Sequence, residues 1–222
     1  MSHVVTFGEI MLRLTTPGHE RFAQASHFEI TFGGAEANVA VVIAQLGGSA
    51  EFVTRLPTNE IAQRALDQLR SLGVGVRYVK RGGDRLGVYY LEQGASQRAG
   101  KVVYDRAHSA IAEMAAEDFD WLAVFAGAGW FHWTGITPAL SPAVARVTGA
   151  ACEAARRAGL TVSFDMNYRS KLWNCTEAGA TLRPLMKYVD VCICGAEEAR
   201  NVFGLDADSD RTLARTLGDE FG

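Results

Sequence analysis

The stretch FDMNYRSKLW, residues 164–173, sets an acid, an amide and a guanidinium at alternate positions: Asp165, Asn167 and Arg169. They close an apolar run, LTVSFDMN (160–167), that reads as a strand. If the strand continues, all three side chains point the same way. They would then lie just past a strand's carboxyl end, where open α/β sheets bind ligands. A polar loop with an internal Asp–Arg pair would account for the same residues without a ligand. A second group lies in KVVYDRAHSA (101–110), where Tyr104 and Arg106 share a strand face and Tyr89 comes from the expected partner strand. Tyr hydroxyls beside an arginine suit a small, hydroxylated, anionic ligand. An exposed hairpin with ordinary surface residues would show the same pattern. The third group is ITFGGAEANVAVVIAQLGG (30–48). There Gly33-Gly34 turns a strand-like run into a helix-like run, with Glu36 and Asn38 near the helix start. Such a corner serves backbone dihedrals, or a ligand that must approach bare backbone.

Other chemistries find less support. Gly127-Ala128-Gly129 follows an apolar run, but the third glycine of a dinucleotide fingerprint would be residue 132, which is His, and no helix opens there. A nicotinamide cofactor is therefore not expected. Neither a phosphate-binding G-x-x-x-x-G-K-[ST] nor a G-x-S-x-G occurs. His132, between aromatics, reads as a packed or strand-end histidine rather than a base. The four cysteines, Cys152, Cys175, Cys192 and Cys194, include no C-x-x-C. Cys192 and Cys194 share a strand face in VDVCICG, but no second His/Cys pair has ligand spacing. All four read as small buried hydrophobes in a reducing compartment. A net charge of −3 with scattered Lys and Arg argues against a nucleic-acid partner. With no basic n-region before a long apolar core and no run of about 18 apolar residues, neither a signal peptide nor a membrane partner is expected, and the protein is placed in the cytoplasm.

The elements that must position these residues follow from periodicity. Of 222 residues, 48% are hydrophobic and 21% charged, enough for a substantial core. Strands are expected at 4–8, 50–56, 76–80, 121–128, 160–167 and 189–195. Helices are expected at 35–46, 59–72, 141–159, 176–187, 196–203 and 209–220. In the first helix Val39, Val42, Ile43 and Leu46 form one stripe; in the second Ile61, Ala65, Leu69 and Leu72 face inward. Ser141-Pro142 and Gly159 bracket the third. Alternating strands and helices, with strands apolar throughout, predict a parallel sheet covered on both faces, an α/β fold. Two segments, 11–33 and about 84–107, break the rhythm. Their runs MLRLTTP, FEITFGG, GVYYLEQG and KVVYDR read as a small antiparallel sheet, a lid beside the carboxyl ends of the parallel strands.

TFGE, FGGAEANVAVVIAQLGG, the GVYYLE and VVYDR pair, WFHWTGI, FDMNYRSKLW and GAEEARNVFG occur in that order. Taken together the chain resembles the ribokinase-like sugar kinases of the phosphofructokinase-B family, in the form that takes sugar acids. The resemblance spans the whole chain and implies a three-layer α/β sandwich with a mostly parallel sheet and a small β lid. The implied reaction is ATP-dependent phosphorylation, with Mg2+, of a sugar hydroxyl: 2-keto-3-deoxygluconate to its 6-phosphate. By this resemblance Gly34 offers backbone to the sugar and Gly33 lets the chain turn. Asn38 hydrogen-bonds sugar hydroxyls, and Tyr89, Tyr104 and Arg106 close from the lid. Arg169 meets the carboxylate or keto end, and Asp165 and Asn167 lie toward the phosphate and metal. Glu198 matches a family glutamate that organises metal-bound water, although Gly195 stands where the family has Asn. The family's base is an Asp in a G-A-G-D stretch near the C-terminus, absent from these 222 residues. The only G-A-G, at 127–129, is followed by Trp130. The resemblance thus implies one incomplete domain with an exposed apolar sheet edge, and exposed lid faces suited to pairing in a homodimer. A sister kinase for a neutral sugar such as fructose or ribose and a non-catalytic sugar-binding module remain as alternatives. Arg106 and Arg169 together favour an acidic substrate over a neutral one.

Overall fold

The computed structural model describes residues 2–222. In chain order it contains β1 (His3–Phe7), β2 (Met11–Thr15), β3 (Glu29–Gly33), α1 (Ala35–Gln45), β4 (Ser49–Leu56), α2 (Glu60–Ser71), β5 (Val79–Arg81), β6 (Val88–Glu92) and β7 (Lys101–Asp105). A 3-10 turn at Ala116–Asp118 leads to α3 (Trp121–Val124), β8 (Ala128–Thr134), α4 (Ile136–Ala139), α5 (Pro142–Arg157) and β9 (Thr161–Asp165). The chain continues with α6 (Cys175–Met186), β10 (Val191–Ile193), α7 (Ala196–Phe203) and α8 (Asp210–Phe221). Local chemistry sets many of the helix starts. Asn59, Ser141 and Ser209 each accept a backbone N–H from the first turn of α2, α5 and α8. Asn174 and Glu177 cap α6 reciprocally.

Six strands form one sheet in the order β10-β9-β8-β1-β4-β5, with every pairing parallel. Side-chain alternation divides it into two faces. Val5, Phe7, Val53, Phe131, Trp133, Val162 and Phe164 face a core built with α5, α6 and the Phe119–Phe125 segment. Phe52 and Leu56 face the opposite way, into a second core with α1 and α2. Burial on both sides is why these strands carry apolar residues at nearly every position. The other strands form a second sheet in the order β3-β2-β6-β7. It is mixed rather than the expected antiparallel sheet, because β2 and β6 run parallel while the outer pairs run antiparallel.

Several sequence expectations need correction. The run 121–128 is not a strand: Asp120 accepts from the N–H groups of Leu122 and Ala123 and starts α3. Gly127, at φ 76°, then turns the chain into β8. Of the apolar stripe expected on α1, Ile43 packs against the second core, but Val42 and Leu46 do not. Glu36, Ala37 and Ala40 are the buried residues of the helix, while Val42 and Leu46 are exposed. On α2, Ala62 and Leu66 are buried and Ile61 is exposed. The strand expected at 76–80 shortens to β5, and that at 189–195 to β10, a sheet edge on which Val191 and Ile193 are exposed. Of the cysteines only Cys152 is fully buried; Cys175, Cys192 and Cys194 are half-buried, and all are free thiols.

Glu36 explains the burial pattern of α1. Its Oε1 accepts from the Thr134 backbone N–H (3.2 Å) and from the hydroxyls of Thr134 (2.8 Å) and Thr137 (2.6 Å). The carboxyl fills space that a side chain at Gly8 would occupy: a Cβ there would lie 2.1 Å from it. A buried polar anchor at the second residue of α1 therefore fixes how the helix rolls on the sheet. Gly34, just before it, has φ −167° and ψ 151°, extended backbone open to any residue. It is glycine for steric reasons, since a Cβ would lie 1.8 Å from the Glu9 carbonyl oxygen.

Glu36→Ala leaves three buried donors without their acceptor and should destabilise the fold by about 3 kcal/mol, read by urea denaturation. Burial raises the Glu36 carboxyl pKa, an effect the Thr134 and Thr137 hydrogen bonds only oppose. A raised native pKa favours the protonated fold, so this contribution to stability is present in acid and lost as pH rises through the native pKa. Relative to wild type, Glu36→Gln should therefore gain stability between pH 5 and pH 8; a constant difference would refute the shift. Gly34→Ala should lower the melting temperature by several degrees at least, because backbone must move to admit the methyl group; an unchanged melt would refute the clash.

Candidate active site

The carboxyl ends of β8 and β9 face the lid sheet across a cleft of about 770 Å³. One wall is formed by lid strand β7 and the residue just beyond its end: Val102, Tyr104 and Arg106. The other comes from the loop after β9: Tyr168, Arg169, Lys171 and Leu172. Three residues singled out in the sequence, Tyr104, Arg106 and Arg169, thus line one cavity although they come from distant segments. Tyr89 joins them at one remove. It pairs directly with Tyr104 across β6 and β7, and the two rings lie 5.9 Å apart. Burial pushes the Tyr89 phenol pKa up, so its hydroxyl keeps its proton.

Arg106 is not the free lid cation that its sequence position suggests. It is buried and ion-paired with Glu9, which also accepts from the Ser109 hydroxyl at 3.1 Å. Burial raises the Glu9 carboxyl pKa while the Arg106 guanidinium opposes that rise. Gly87 makes room, because a Cβ there would lie 2.5 Å from Glu9 Oε1. The pair joins the end of β1 to the end of β7. The Arg106 guanidinium also lies 5.5 Å from the Tyr104 ring centroid, and its Nε has no hydrogen-bond partner among the described residues. That leaves Arg106 held on one side and with an unused donor.

The glycine corner divides differently from the expectation. Gly34 packs against protein backbone, whereas a Cβ on Gly33 would meet Tyr89 Oη at 3.2 Å and Asn38 Oδ1 at 3.9 Å. Gly33 is therefore the glycine that opens toward polar side chains. Asn38, on the exposed side of α1, belongs to this second group with Tyr89.

Asp165, Asn167 and Arg169 do not share an extended face. The strand ends at Asp165, whose Oδ1 accepts from the Asn167 N–H at 3.1 Å. Asn167 then takes φ 41°. An aspartate that caps its own turn, followed by an Asn tolerant of the left-handed region, ends a strand locally. Glu198 is close by, but both carboxylate oxygens serve the backbone. Oε1 accepts from Tyr168 N–H at 2.9 Å and Oε2 from Gly195 N–H at 2.8 Å. Burial raises the Asp165 pKa, and the neighbouring Glu198 charge adds to the rise. Two adjacent carboxylates of this kind fit a nearby cation. Among the described residues, however, no group of three or more His, Cys, Asp or Glu side chains could hold a metal ion.

His132 is packed, not catalytic. Its Nδ1 lies 2.9 Å from Ser163 Oγ, which also accepts from Trp130 Nε1 at 2.7 Å. Burial pushes its pKa down to about 4, so it is neutral at pH 7. Sequence reasoning missed Glu9 and Ser109, which hold Arg106 in place, and Lys171, which lines the cleft. Glu9 and Lys171 stand within motifs already noted, but Glu9 and Arg106 are 97 residues apart, and no periodicity announces such a contact.

Comparison with known proteins accords with this geometry. A family model described as "pfkB family carbohydrate kinase" matches residues 1–220. The chain is 39% identical over 221 residues to a 2-dehydro-3-deoxygalactonokinase of Haloferax volcanii, spanning 99% of this chain and 69% of that protein. Its fold matches the crystal structure of a 2-dehydro-3-deoxygluconokinase from Thermotoga maritima with a TM-score of 0.94 and 48% identity, over 99% of this chain and 68% of that one. A fructokinase from Xylella fastidiosa, solved with bound ATP, matches with a TM-score of 0.82 and 26% identity, over 99% of this chain and 69% of that one. No helix among the described residues is long and apolar enough to cross a membrane. With the parallel central sheet, the small mixed sheet and the cleft between them, these likenesses establish the fold as ribokinase-like, and the chain belongs to the pfkB family of carbohydrate kinases.

Proposed function

We propose that this chain binds a 2-keto-3-deoxy sugar acid, 2-keto-3-deoxygluconate or its galactonate epimer, for ATP-dependent phosphorylation of the 6-hydroxyl. The observation that carries the reading is the cleft that joins Tyr104 and Arg106 to Arg169. Phenol hydroxyls match sugar hydroxyls, and a guanidinium fork matches a carboxylate bidentately. Gly33, Asn38 and Tyr89 form the neighbouring part of the sugar site, with Gly33 admitting the ligand and Gly34 holding the corner against the backbone of Glu9. In the reaction the 6-oxygen attacks the γ-phosphorus, its proton passes to a base, and the bridging oxygen leaves with ADP. Tyr104, Arg106 and Arg169 bind and orient; the proton transfer falls to none of them. Mg2+ bound with ATP would neutralise phosphate charge, and Asp165, Asn167 and Glu198 would face its water shell. Use of ATP and the free thiols suit a reducing, cytoplasmic setting.

A neutral sugar as substrate is the second reading, favoured by the likeness to fructokinase. Calorimetric titration separates the two. Arg169→Gln should weaken binding of the sugar acid at least about tenfold, the value of one lost charge-assisted hydrogen bond, and leave fructose binding unchanged. Equal losses for the two sugars would count against the carboxylate role.

A homodimer through the lid belongs to the same proposal. On the lid face opposite Tyr89 and Tyr104, Ile30, Leu14, Tyr90 and Val103 align across all four strands. Ile30 and Val103 are 45% and 43% exposed. A second copy would cover this row with its own. Val103→Glu should convert a dimer to a monomer in sedimentation velocity; a wild-type monomer at high micromolar concentration would end the idea.

A further inference from the structure

The charges around the cleft are not equally available. Arg106 is committed to Glu9, and Asp105 to Arg85 at 2.8 Å. Burial raises the Asp165 pKa and the nearby Arg169 charge only opposes that rise; among the described residues the Arg169 guanidinium has no ion pair. Lys171 also has no carboxylate partner among the described residues, but unlike Arg169 it reaches the lid: its one hydrogen bond goes to a main-chain oxygen, that of Val102 in β7, at 2.9 Å. The same nitrogen lies 5.7 Å from the Tyr104 ring centroid. An ammonium has three N–H donors, so two remain for a ligand in the cleft it lines. Lys171 also belongs to the loop after β9, so its contact with Val102 is a link between the central sheet and the lid.

We propose that Lys171 is a specificity-determining residue: its ammonium donates to the carboxylate of a sugar acid while it holds lid strand β7 through Val102. This rests on the sugar-acid reading above and names the cation that makes acid binding and lid ordering one event. A carboxylate beneath the lid gives the otherwise uncompensated ammonium its counter-charge. A neutral sugar offers none, so it should leave the lid contact as it is. Arg169 would supply the planar fork at the same end of the ligand, and Lys171 the point charge that bridges to the lid.

The test uses the 222-residue chain with Lys171→Gln and Lys171→Arg, titrated with 2-keto-3-deoxygluconate and with fructose, alongside amide hydrogen exchange of residues 101–105. Lys171 is exposed, so both variants should melt close to wild type. The expected result is a loss of about tenfold or more for the acid in Lys171→Gln, no change for fructose, and substantial recovery in Lys171→Arg. Acid should slow exchange in β7 of the wild type but not of Lys171→Gln. If wild type prefers the acid and Lys171→Gln keeps both preference and protection, this inference falls while the sugar-acid reading stands. Equal losses for acid and fructose would make Lys171 a lid strut and also overturn it. A wild type that binds fructose as well as the acid, or neither, would overturn the sugar-acid reading and this inference with it.

Discussion

The pairing of Glu9 with Arg106 is the constraint on which the site depends. A carboxylate and a guanidinium buried together are tolerable only as partners, and removing one strands the other at a cost of about 3 to 5 kcal/mol. Glu9 lies just past the central strand β1, and Arg106 just past the lid strand β7. Their contact therefore fixes the lid at one end against the carboxyl edge of the parallel sheet. Gly87 is small because the Glu9 carboxyl needs its space, and Ser109 completes the hydrogen bonding of that carboxyl. Tyr104 stands two residues before Arg106 on the same wall of the cleft, so the ion pair also sets where that ring lies.

A second buried carboxylate does a parallel task. Glu36 ties the first turn of α1 to Thr134 at the end of β8 and to Thr137 in α4. The glycine corner before it is thereby forced into close approach with Glu9, which is why Gly34 cannot carry a side chain. One corner thus serves two purposes. Gly34 permits backbone to pack on backbone, while Gly33 leaves an opening beside Tyr89 and Asn38. Both locks gather at the carboxyl ends of the strands, where an α/β sheet has polar backbone to satisfy and where ligands enter.

The candidate site is legible in the sequence in part, and for identifiable reasons. Tyr104, Arg106 and Arg169 stand in motifs whose residue types suit an anionic, hydroxylated ligand, and they meet in one cleft. Asn167 belies its sequence pattern, because the Asp165 side chain turns the chain out of line where the apolar run suggests a continuing strand. Arg106 looks like a free cation in sequence, because nothing near it reveals a carboxylate 97 positions away. The stripe on α1 misleads for a similar reason. Apolar periodicity favours Val42 and Leu46, but the polar anchor at Glu36 and the small Ala37 and Ala40 decide which side meets the sheet.

What the sequence determined by itself is the local and the repetitive. Strand and helix alternation, apolar strands and helix caps at Asn59, Ser141, Asn174 and Ser209 depend on near neighbours, and they specify a layered α/β fold. Tertiary structure alone decided which glycine opens onto the site, which arginine is neutralised by a partner, and which lysine reaches across the cleft to the lid. Those outcomes depend on contacts between residues far apart in the chain, such as Glu9 with Arg106 and Lys171 with Val102. The charge that a side chain presents to a ligand is set by what surrounds it in space, and residue type does not carry that information.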